Sequence, residues 1–197
     1  MSTPAKINYK MYQGSTFAEV LRWESSKKNY VNITNISKSA PVLITTEPHT
    51  IPNNWRVKVT SVGGMKEINS TEDYHVVSVL SNTSIELNTI NSLGYTAYTS
   101  GGVIEYNEPI DLSTYTARMQ IREKLDSSTV IYELTTENGG IVLNNVDYTI
   151  NLNIPATTTQ TFTFKKAVYS MELVNTNNDS VITFAQGNIT LYNEITR

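Results

Sequence analysis

Few side chains in this sequence are equipped for acid–base chemistry. There are two histidines, His49 and His75, and no cysteine. A hydrolytic triad needs a serine, a histidine and a carboxylate gathered at one place. His49 stands in Glu47-Pro-His-Thr50, a loop by composition, and His75 lies on the polar-leaning face of an alternating strand. Nothing near either resembles a nucleophile elbow. The two histidines with Asp73 or Glu72 could be assembled into a metal site on composition, but their spacing matches no ligand pattern. Carboxylate pairs that could serve glycoside cleavage are Glu133 with Glu137 and Glu172 with Asp179. Acidic groups on the outer face of strands are solubilising, and that is the reading adopted for all four. Gly63-Gly64 and Gly139-Gly140 lack the Lys-Ser/Thr and the following helix of a phosphate loop, so they read as turns. The expectation is a non-enzymatic chain with no catalytic, cofactor-binding or metal-binding residues, and no cofactor.

Bulk properties narrow the partners. The formal charge is −3 and the basic doublets are Lys27-Lys28 and Lys165-Lys166. Such doublets are solvated surface and fall short of an electrostatic footprint for nucleic acid. Met1 to Lys6 lacks the apolar core of a signal peptide, and no apolar run approaches the roughly 18 residues needed to cross a bilayer. No nucleic acid and no membrane are therefore expected as partners. The absence of cysteine suits folding in a reducing cytoplasm. Asn32, Asn69, Asn82 and Asn188 each open an Asn-x-Ser/Thr triplet, a chance product of an Asn- and Thr-rich chain without a secretion signal.

Aromatic side chains remain. Twelve tyrosines exceed what a small core needs. Tyr9, Tyr12, Tyr95, Tyr98, Tyr106 and Tyr192 are the candidate interface residues, because a phenol combines contact area with a polar handle. Cross-strand pairing on a solvent-facing sheet is the alternative use for them.

The elements that would carry these residues are strands. Tyr115, Ala117, Met119 and Ile121 alternate with Thr116, Arg118, Gln120 and Arg122, a period of two that a helix would scatter. Asp147 to Ile154 alternates likewise, with Tyr148, Ile150, Leu152 and Ile154 inward and Asp147, Thr149, Asn151 and Asn153 outward, and so does Trp55 to Thr60. Further strands are expected at 130–134, 167–174, 181–186 and 188–192, and in the middle of the chain at 42–46, 55–61, 74–80 and 84–88. Asn138-Gly139-Gly140 can supply positive φ between strands, Gly187 marks a bulge or tight bend, and Ala156 to Phe162 after Pro155 is the one helical turn. Many short alternating strands predict an all-β chain, read as an antiparallel, immunoglobulin-like β-sandwich or a barrel.

Pro109-Ile-Asp-Leu-Ser-Thr-Tyr-Thr-Ala-Arg-Met-Gln-Ile-Arg122 resembles a signature of phage tail and baseplate-associated domains, a family similar to the N-terminal domain of phage upper baseplate proteins. In the same order, Glu133 to Leu143, Tyr169 to Leu173, Gly187 to Arg197, and the opening Gln13 to Phe17 with Trp23 resemble further family segments. Ser170 and Met171 depart from its pattern. The stretch between Trp23 and Pro109 is long for the family. Its His49, Val57, Gly63 to Asn69, Val76, Thr83 to Leu87 and Gly94 to Gly102 resemble a small β-barrel similar to the first catalytic-cysteine half-domain of ubiquitin-activating enzymes. That likeness implies a scaffold piece and no activity.

The resemblance implies a discontinuous sandwich at 1–33 and 105–197 and an inserted barrel at 34–104. It implies a virion structural protein of tail, neck or baseplate that links other phage structural proteins, forms a symmetric homo-oligomer, and is made and assembled in the host cytoplasm. The inserted domain would project as decoration or dock fibres. Rival expectations are a capsid decoration or head fibre protein, and a host-glycan-binding module using Tyr95, Tyr98 or Trp55.

Overall fold

A computed structural model describes residues 3–70 and 73–194. The chain is all-β, as its alternation and β-branched composition require. In chain order the strands are β1 (Ala5–Lys6), β2 (Tyr9–Tyr12), β3 (Phe17–Leu21), β4 (Glu24–Ile36), β5 (Val42–Thr46), β6 (Arg56–Gly63), β7 (His75–Ser81), β8 (Ser84–Leu87), β9 (Ser100–Pro109), β10 (Tyr115–Arg122), β11 (Tyr132–Thr135), β12 (Ile141–Asn144), β13 (Thr149–Ile154), β14 (Lys166–Asn175) and β15 (Val181–Tyr192). A single helical turn, α1 (Ala156–Thr159), follows Pro155, and a 3₁₀ turn covers Lys66–Ile68.

The chain divides into two compact units, Met1–Arg22 with Asp111–Arg197, and Trp23–Ile110. Sequence reading puts the junctions near 33/34 and 104/105. The units part further out because β4 and β9 stay paired from Asn32 opposite Val103 to Glu24 opposite Pro109, which carries both strand ends into the second unit. There the Ile110 N–H donates to the Trp23 carbonyl at 3.2 Å, so the chain enters and leaves this unit at adjacent points.

The second unit is a closed barrel in the order β4-β5-β8-β7-β6-β9. Closure depends on the length of β4: its first part pairs with β9 and its last residues, Ile33 to Ile36, pair with β5. A closed sheet has no free edge to template aggregation. Its interior is filled by Val42, Ile44, Trp55, Val57, Val59 and Ile104, all 0% exposed, as expected for a barrel this small.

The first unit contains a six-stranded sheet, β1-β15-β14-β10-β11 with β2 also paired to β15, and a three-stranded sheet, β12-β13-β3. Alternation decides what each face shows. Ala117, Met119 and Ile121 of β10 are buried with Ala167, Tyr169, Met171 and Leu173 of β14, while Arg118 and Ser170 are exposed. The other sheet buries Phe17, Ile141, Ile150, Leu152 and Ile154.

Two features depart from the expectation. The larger sheet is mixed, because β1 and β2 run parallel to β15. And β13 begins at Thr149: Tyr148 has φ of 52°, a left-handed conformation that interrupts the alternation, so Thr149 turns inward and is buried. The turn chemistry at Asn138-Gly139-Gly140 follows expectation. Gly139 has φ of 74°, and the Asn138 Oδ1 accepts from the Thr135 and Gly140 backbone N–H groups.

Candidate interaction surface

The two histidines sit in the barrel unit. His49 is 9% exposed; its Nδ1 accepts the Ile51 N–H at 3.2 Å, which leaves the proton on Nε2, and Nε2 has no hydrogen-bond partner among the described residues. Burial pushes its pKa below the ordinary 6.5. His75 bonds through Nε2 to the Ser70 hydroxyl at 2.8 Å; burial lowers its pKa too, with Asp73 opposing. Among the described residues no group of three or more His, Cys, Asp or Glu is placed to hold a metal, and Glu72 lies outside them.

Both histidines favour the neutral form in the folded chain. As pH falls below about 6.5 the unfolded chain gains protons first, so stability present above that value is lost on acidification towards the folded-state pKa values. No cysteine titrates nearby, and both tryptophans, Trp23 and Trp55, lie in the barrel unit. Tryptophan-monitored melting should therefore show the midpoint falling from about pH 8 to about pH 5, with the slope flattened in His49→Gln. A midpoint indifferent to pH across that range would contradict the burial argument.

Three of the four carboxylates hold other partners. Glu172 is ion-paired with Arg118 at 2.7 Å, and Asp179 stands in the β14–β15 turn. Glu133 accepts from the Gln120 amide at 2.6 Å, while Glu137 accepts from the Thr136 hydroxyl at 2.9 Å in the turn after β11.

The six candidate tyrosines separate. Tyr9 (5% exposed) and Tyr106 (3%) are core residues rather than surface ones, because each lies on the inward side of its strand. Tyr9 packs edge-on against Phe17 with ring centroids 5.3 Å apart. Tyr98 is half-buried and its hydroxyl donates to the Gly101 carbonyl at 3.0 Å; Tyr95 is half-buried in the loop before β9. Trp55, a candidate for glycan contact, is wholly buried with its indole N–H donating to the Asn107 carbonyl at 2.9 Å. Tyr12 (55%) and Tyr192 (42%) remain exposed. Sequence reading passed over Tyr30, exposed at 62% on β4; its alternation with buried Val31 and Ile33 was the available signal.

Tyr12 and Tyr192 meet because β2 and β15 pair in parallel with these two residues opposite each other, and their rings stack at 5.3 Å with 25° between planes. They stand on the outer face of the six-stranded sheet. The next row on that face is Lys10, Thr190 and Lys166, in register across β2, β15 and β14. Two rows further are Lys6, Gln186, Ser170, Gln120 and Glu133, across β1, β15, β14, β10 and β11. Lys6, Lys10 and Lys166 are exposed, and none forms an ion pair among the described residues.

Beyond them Arg122 donates to the Ser127 carbonyl and to the Gln120 side-chain oxygen, and Gln120 passes the chain on to Glu133. With the Arg118–Glu172 pair these groups line an open depression of about 360 Å³. The chain matches no family model and no curated protein sequence. Among the described residues the outer face carries five cations, Lys6, Lys10, Lys166, Arg118 and Arg122, against Glu133 and Glu172 within the sheet and Glu194 at its tyrosine end, on a chain whose formal charge is −3. A surface with cations gathered on one side has the charge pattern to recognise a partner.

Proposed function

We propose that this chain is a structural subunit of a bacteriophage particle, a tail, neck or baseplate component that links other virion proteins and works without catalysis. The observation that carries the reading is the placement of the segment resembling phage tail domains. Residues 115–122 of that segment form β10, a strand inside the six-stranded sheet, hydrogen-bonded on both sides. Its Ala117, Met119 and Ile121 are buried, and its Arg118 and Arg122 belong to the cationic outer face. In this reading the residues of that segment both build the sheet and contribute to its outer face.

Supporting this are the partners already held by Glu133, Glu137 and Glu172 and the buried, neutral-favouring state of His49. A glycan-binding role has lost Trp55, its largest aromatic. The nested arrangement, a barrel set into the chain of a host sandwich, belongs to the same proposal, as does a symmetric homo-oligomer. Since the cationic face would repel its own copy, the contacts between like subunits use other surfaces. Locating the chain in density maps of an intact particle tests the reading. Density for it in the tail, neck or baseplate is the expected result; density on the capsid would replace linker with decoration, and absence from the particle would end the structural assignment.

A further inference from the structure

The geometry points to the outer face of the six-stranded sheet, centred on Tyr12, Tyr192, Lys10 and Lys166, as a docking surface for a carboxylate-rich face of a different protein. The argument begins with charge. An exposed lysine is well solvated alone, and one without a partner needs no explanation. Here Lys6 and Lys10 come from the first two strands and Lys166 from β14, about 160 residues on, and the sheet gathers them on one face with no acidic neighbour in the Lys10–Thr190–Lys166 row. The carboxylates on the strands of this face, Glu172 and Glu133, lie towards β10 and β11 and are held there by Arg118 and Gln120. The β1–β2 side therefore carries three lysines with no ion pair among the described residues, the Glu194 carboxylate lying at its tyrosine end against Gly14, while the chain as a whole is negative.

Two observations choose the occupant. A second copy presenting the same face would bring its own lysines against these, so self-association through this face is disfavoured. Nucleic acid is disfavoured by the chain's overall negative charge and by Glu133 and Glu172, which would face phosphates without relief. A folded acidic protein surface suits both parts of the face: its carboxylates meet the lysines, and occasional cations or amides meet Glu133 and Glu172. The stacked phenols of Tyr12 and Tyr192 supply the apolar contact area at the end of the face. Gln13 braces that end, donating from Nε2 to the Phe162 carbonyl at 2.9 Å, while its backbone N–H donates to the Tyr192 carbonyl at 2.9 Å. The aromatic pair is thus presented on held backbone.

The surface is independent of where the chain is found, so the test uses the purified full chain. A fluorescent peptide of alternating Glu and Gly serves as the probe, with a short DNA duplex as competitor class, both followed by anisotropy. The peptide should bind at low salt and weaken as salt rises. Lys10→Glu with Lys166→Glu should reduce its affinity about tenfold or more. Lys38→Glu with Lys66→Glu, which changes net charge equally on exposed barrel positions, should leave it within about twofold. Tyr12→Ser with Tyr192→Ser should weaken binding without changing the salt dependence. All these positions are solvent-exposed, and an unchanged melting midpoint checks each variant's fold. Failure of the peptide to bind, or equal loss in both charge-reversal pairs, would overturn the proposal. A duplex bound more tightly than the peptide would overturn it in favour of a nucleic-acid surface.

Discussion

A chain in which residues 24–109 are replaced by two glycines should fold, unfold cooperatively on heating, and remain soluble. The Ile110 N–H donates to the Trp23 carbonyl at 3.2 Å, so the two ends left by the excision are already neighbours. Closing so small a gap costs little conformational entropy compared with a long loop. What remains is roughly 110 residues with a core of its own, including Met11, Met119, Ile150, Met171 and Ile189, and chains of that size fold without staples. Trp55 leaves with the barrel and Trp23 alone reports fluorescence. Circular dichroism retaining a β spectrum with a single melting transition is the expected record. An aggregated or molten product would mean that the barrel is required for the rest of the chain to fold, and the nested-domain proposal would fall. Cutting instead at the boundaries read from sequence should fail, because 24–33 and 105–109 would be left as stubs of β4 and β9 with their pairing partners partly removed.

Gly187→Ala should lower the stability of the unit containing the two sheets by about 3 kcal/mol, whereas Gly139→Ala should cost about 1 kcal/mol. The substitution is the same and the physics is different. Gly187 is not in a left-handed conformation; its place is fixed by the chain crossing from β1 to β2, which lays Ile7 across it. An added Cβ would overlap the Ile7 carbonyl, which is backbone and has little room to move. That carbonyl accepts from the Tyr169 hydroxyl at 2.9 Å, and the Ile7 N–H donates to the Gln186 carbonyl at 3.0 Å. The Asn188 N–H adds a bond to the Asn8 side-chain oxygen at 3.0 Å. Relieving the overlap strains all three, and Tyr169, 3% exposed, has no water to replace its lost acceptor. Gly139 instead has φ of 74° and open space where a Cβ would go, so alanine there bears only the backbone penalty. Calorimetry of the full chain, with tryptophan fluorescence identifying the barrel transition, separates the outcomes. Equal small losses for both variants would show that the β1–β2 crossing yields easily.

The cationic face shows where sequence reading stops. In the sequence Lys165-Lys166 is an isolated doublet, and both residues are exposed. Lys6 and Lys10 stand about 160 residues away, and no spacing rule connects them to it. They join it because β1 and β2 run parallel to β15, a long-range pairing that local patterning does not encode. The same pairing stacks Tyr12 on Tyr192. Tyr9 and Tyr106 were misplaced for a related reason. A tyrosine carries no sign of which face of its strand is covered, and short strands such as β2 offer too few alternating positions to decide it.

By itself the sequence determined that the chain is all-β, that β10 turns Ala117, Met119 and Ile121 inward and Arg118 and Arg122 to the other face, and that Asn138-Gly139 turns between strands. These follow from period-two alternation and from the conformational freedom of glycine, both local properties. Only the tertiary structure decided that β4 is long enough to pair with both β5 and β9 and close a barrel, and that Gly187 is needed for a backbone crossing rather than a bend. It alone decided that cations from both ends of the chain share one face. Each of these depends on which strands meet, and that choice is made by the burial of whole faces, not by any residue's neighbours in sequence.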